Sequence, residues 1–60
     1  MGANEKYKEV LNQLEGNIEL LKEKIKKHSH KQSGEPHHWG YVGDISYVNE
    51  KIENILEFIK

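Results

Sequence analysis

Apolar side chains recur through the first half of the chain at Tyr7, Leu11, Leu14, Ile18, Leu21 and Ile25, in alternating steps of four and three residues. That spacing keeps one face of a helix apolar, which is the stripe a helix presents to a partner. It predicts helix 1 over about residues 5–28. Asn4 stands where a side-chain oxygen can accept a free backbone N–H. Glu5 and Glu9 suit the positive end of the helix, and the lysines beyond position 21 suit the negative end. Glu23 and Lys27 stand four apart in the favourable orientation for a solvated ion pair. A second stripe, Ile45, Val48, Ile52, Ile55 and Ile59, repeats the spacing behind Asp44, a candidate N-cap. It predicts helix 2 from about residue 45 to residue 60.

Between the stripes, residues 29–43 read as a long connecting loop, well beyond ordinary helix–helix connections of about 2–8 residues. Its first half, Ser29 to Pro36, is polar and linker-like. Its second half, His37 to Gly43, concentrates the single Trp, one Tyr and two Gly. The predicted architecture is all-α: one domain over residues 1–60, an antiparallel two-helix hairpin. At about 1.5 Å per residue the first helix is ~36 Å long and the second ~24 Å, so roughly two turns of the helix 1 stripe lack cover. Val10, Leu20, Leu56 and Phe58 lie outside the two stripes and widen each apolar face beyond what one neighbour buries. The expectation is a homo-oligomer, a homodimer or larger, most simply two hairpins in a four-helix bundle. Gly16, mid-helix at a cost of about 1 kcal/mol relative to Ala, reads either as a tolerated surface glycine or as a point of close approach by another chain.

Size strengthens the case for assembly. A 60-residue chain of 7.0 kDa buries only about 60% of its unfolded surface, so a lone copy is marginal. With no cysteine there is neither a disulfide framework nor a thiolate metal site. No apolar run exceeds three residues, so neither a signal-peptide core nor a membrane span is drawn, and a soluble cytoplasmic protein is expected. Nine lysines and no arginine nearly balance ten acidic groups, which argues against binding long nucleic acid by counterion release. The balance is local, however. Residues 22–31 hold Lys22, Lys24, Lys26, Lys27 and Lys31 against Glu23 alone, with His28 and His30 among them.

Three chemistries present themselves in the loop. His28, His30, His37 and His38 supply four imidazoles, but their spacing matches common zinc motifs poorly, and no metal or other cofactor is expected. His37, His38 and Asp44 with Ser33 or Ser46 lack any nucleophile motif, and so small a core would hardly hold three groups in register, so no enzyme is expected. The third is ligand binding. Trp39 and Tyr41, with Tyr47, offer stacking surfaces, Gly40 and Gly43 let a ligand approach the backbone, and the following helix start offers N–H groups to a phosphate. Lys27, Lys31 and His38 supply cations, and Asn49, about one turn into helix 2, can read a base or ribose edge. Asp44 opposes an anion there if its carboxylate occupies the helix cap. Against this stands a packing alternative: Trp39 and Tyr41 folded back over the uncovered stripe, the glycines making turns.

The segment Trp39-Gly40-Tyr41-Val42-Gly43-Asp44, followed by Val48-Asn49-Glu50 and an Ile-rich terminal helix, resembles small phage-encoded helical-hairpin proteins over about a third of the chain. Among compact, oligomeric phage proteins of this kind are the nucleotide sponges, which sequester signals made by bacterial defence systems. The resemblance lies in size, hairpin and assembly, and no sponge motif transfers residue by residue. It implies a binding protein that sequesters a nucleotide-derived signal, such as a cyclic dinucleotide or a cyclic ADP-ribose derivative, in a host cytoplasm. The rival expectation is a regulatory or scaffold protein whose exposed helix face binds another protein.

Overall fold

The computed structural model describes residues 2–60. They form two helices, α1 at Ala3–Gly34 and α2 at Trp39–Ile59, and no strand. The all-helical hairpin is as the stripes predict; the long loop is not. Only Glu35, Pro36, His37 and His38 connect the helices.

Both expected boundaries move for identifiable reasons. The polar stretch Ser29–Gly34 contains no helix breaker except its terminal glycine, so α1 continues through it. It ends where Pro36 forces Glu35 out of helical geometry, to φ −139° and ψ 66°. The Glu35 N–H donates to the Gln32 carbonyl at 3.0 Å, and the His38 N–H donates to the Glu35 carbonyl at 3.1 Å. The second bond closes a four-residue turn with Pro36 at its favoured second position. Helix α2 then starts at once, with His38 as its N-cap. Asn4 and Asp44 are not caps. Gly2 precedes α1 without a side-chain cap bond, and Asp44 lies more than a turn inside α2. Gly40 and Gly43 are helical rather than turn residues, and no described glycine has a positive φ. The ion pairs on α1 are Lys6–Glu9 and Lys22–Glu19, at 3.7 and 3.5 Å, rather than Glu23–Lys27.

The molecule measures 52 × 21 × 13 Å between Cα extremes, and no described residue is fully buried. Partial burial is found at Leu11 and, toward the turn, at Leu21, Ile25, His28 and Gln32 of α1 and Tyr41, Val48 and Ile52 of α2. Away from the turn the stripes open to solvent: Leu14 and Ile18 are almost half exposed, and Ile55 and Ile59 more than half. Helix α1 is therefore held at its C-terminal half and, apart from Leu11, open to solvent along its N-terminal half.

Candidate functional site at the hairpin tip

Where the end of α1 meets the start of α2, a cleft of about 380 Å³ is lined by Ile25, His28, Ser29, Gln32, Tyr41, Val42 and Ile45. Its walls follow from the helical repeat. Residues 25, 28, 29 and 32 share one face of α1, and 41, 42 and 45 share one face of α2. The same faces continue both apolar stripes through semi-polar residues, which is why the helices extend toward each other here.

Tyr41 organises this end. Its ring meets His28 edge-on with centroids 5.3 Å apart, and lies 4.8 Å from the tilted His38 ring. Its hydroxyl donates to Glu35 Oε2 at 3.3 Å. Desolvation between the helices, followed by the charge of Glu35, the bond to that carboxylate and the charge of Asp44, raises the Tyr41 phenol above its ordinary value of 10.0. On the other side of His28, Nε2 lies 3.5 Å from Asp44 Oδ2, a contact at the outer limit of hydrogen bonding. Gly40 has a steric reason to be glycine. A Cβ there would stand 2.7 Å from Cε1 of His38, so any larger residue displaces that ring from its place beside Tyr41.

The nine residues read from the sequence as a ligand site are not gathered into one pocket by a single chain. Tyr41 faces the cleft. Trp39, two positions earlier and so roughly 200° around α2, is 80% exposed and lines a second, smaller groove with Pro36, His37, His38 and Val42. Val42 borders both depressions, which makes them one discontinuous surface around the tip. Lys27 and Lys31 lie with Lys26 and His30 along a basic face of α1. Tyr47 projects from α2 beneath Lys51, whose Nζ is 5.2 Å from the ring centroid. Asn49 stands more than two turns into α2, donates to Glu53 at 2.9 Å and borders the lower seam beside Ile25 and Ile52. Nothing in the described chain approaches the space where a Cβ of Gly43 would sit.

Sequence reasoning missed His28, Ser29 and Gln32 as members of the cleft, because they were read as helix end and loop. The signal was there: Ile25, His28 and Gln32 prolong the four-three spacing toward Pro36. Among the described residues, no group of three or more His, Asp or Glu is arranged to hold a metal ion, and no helix is long and apolar enough to cross a membrane. The chain matches no protein-family model, no curated protein and no solved structure.

Proposed function

We propose that this chain is a non-enzymatic binding protein that works as a homo-oligomer and captures a small nucleotide-like ligand at the hairpin tip, acting by sequestration. The observation that carries this reading is the start of α2. It has no side-chain cap and no acidic residue in its first turn. Among the described residues, the Trp39 and Gly40 N–H groups have no backbone acceptor. An anion is favoured at such a helix end by the free donors and the macrodipole together. With Asp44 drawn inside the helix toward His28, the carboxylate that would repel a phosphate at the cap is gone from it.

The surroundings supply the rest of the chemistry. The exposed Trp39 indole offers a stacking face and His38 stands at the cap, while the basic face of Lys26, Lys27, His30 and Lys31 lies on the side of α1 turned away from α2. The ligand class that combines a planar base with negative charge is a nucleotide, and cyclic dinucleotides and cyclic ADP-ribose derivatives are the members to test. Calorimetry against a panel of both should give heat with at least one. Trp39→Ala should weaken that binding by roughly 10- to 100-fold, the loss of one stacking contact.

A second reading rests on a different observation. Leu20, Leu56 and Phe58 are exposed outside the hairpin seam, Phe58 at 91%, and such a face suits a regulatory or scaffold protein that docks another protein. A silent calorimetric panel, with a stoichiometric host protein recovered by pull-down and lost on Leu20→Glu but not on Trp39→Ala, would replace the first reading with this one.

A further inference from the structure

The apolar stripe of α1 is nearly a palindrome. Measured from Ile18, Leu14 and Leu21 lie four and three positions away, Leu11 and Ile25 seven on either side, and Tyr7 and His28 eleven and ten. A second α1 laid antiparallel and centred on Ile18 would therefore set Leu14 opposite Leu21, Leu11 opposite Ile25 and Tyr7 opposite His28, over the open side of the seam that Leu21, Ile25 and His28 form with Ile45 and Val48.

Charge selects the same direction. Residues 3–20 carry Glu5, Glu9, Glu15 and Glu19 against Lys6 and Lys8, while residues 21–34 carry Lys22, Lys24, Lys26, Lys27 and Lys31 against Glu23. In the antiparallel register Glu15, on the flank of one stripe, falls opposite Lys22 on the same flank of the other. A parallel pairing instead stacks the two basic halves together and repels. The area is also of the right size. The chain exposes 5693 Å², about 1,700 Å² more than the ~4,000 Å² of a compact 60-residue protein. A loss of that order from each partner is the scale of an obligate dimer, above the roughly 800 Å² per side of a standard interface.

Resting on the homo-oligomeric part of the proposed function, we infer that two copies associate through α1 in this antiparallel register, hairpin tips at opposite ends, so that each chain's Tyr7 closes the other's tip cleft beside His28 and Ile25. Tyr7 is 66% exposed in the single chain and has no role there. In the pair, the N-terminal half of one α1 is covered by the seam between the other's α1 and α2. The cleft becomes a composite site built by both copies.

The absence of native cysteine allows a direct test of register. Leu11→Cys and Ile25→Cys variants, mixed and mildly oxidised, should give the mixed disulfide dimer several-fold over either self-linked dimer, with sedimentation showing a dimer before oxidation. Self-linked Leu11→Cys and Ile25→Cys dimers in excess would overturn the antiparallel register while leaving self-association standing. A monomer in sedimentation would overturn both. On the flank of the interface, Glu15→Lys should raise the dimer dissociation constant about two- to fivefold for each pair broken, and Lys22→Glu in the same chain should restore it. Failure of that rescue contradicts the pairing, and neither result depends on any nucleotide being bound.

Discussion

Tyr41 is the side chain through which the turn, both helices and the cleft communicate, and its hydroxyl makes that testable. Because its phenol is raised in the folded state by desolvation and by Glu35 and Asp44, folding favours the protonated form. The stabilisation is therefore complete below about pH 10 and is lost as pH rises through the raised value, since above pH 10 the unfolded chain ionises first. A spectrophotometric titration should show a tyrosine ionising above the ordinary phenol value, absent in Tyr41→Phe. Melting temperature should fall between pH 9 and pH 11 more steeply in the parent chain than in Tyr41→Phe. Equal slopes would remove Tyr41 from this role. Gly40 answers at the same scale. Gly40→Ala adds a Cβ into the His38 ring, and the ring-current shifts that Tyr41 and His38 impose on each other should diminish in the proton spectrum.

For the helices, two glycines distinguish packing from function. A Cβ on Gly16 or Gly43 meets nothing in the chain, and both are in helical conformation. Gly16→Ala and Gly43→Ala should each stabilise the fold by about 0.5–1 kcal/mol, seen as a higher melting temperature. A lower one at Gly16 would mean that another chain passes close by. A stable Gly43→Ala that has lost ligand binding would place the ligand against α2. The existence, type and antiparallel pairing of the two helices were legible in the spacing of Leu, Ile and Val. Their ends were not. Polarity was taken for a break at Ser29–Gly34, whereas His, Lys, Gln and Ser propagate a helix adequately and only Pro36 stops it. Asp44 looked like a cap because it precedes Ile45, yet Tyr41 and Val42 already continue that stripe backward by one turn. Of the candidate site, the aromatic and basic residues were legible as types. Their distribution was not, because which side of a helix a residue faces depends on where the helix begins. Once α2 is known to start at Trp39, Trp39 and Tyr41 must part company.

At the scale of the whole molecule, the dominant fact is how little one copy buries. Thirteen large apolar side chains are exposed, among them residues of both stripes, and the two helices touch only over a short stretch near the turn. On the proposed assembly much of the stability comes from association, so melting temperature should rise with protein concentration. Ile18→Asp, which puts a charge at the centre of the bare stripe, should abolish assembly and most helical circular dichroism together, since isolated helices of this polarity are marginal in water. A change that dissociated the oligomer but left helicity intact would show the hairpin to be stable by itself. The most direct measurement is sedimentation velocity through a dilution series from high to low micromolar concentration, with helicity followed on the same samples. A homo-oligomer that dissociates and loses helix in the same concentration range is the expected result. A folded single copy whose sedimentation and helicity do not change on dilution would contradict it.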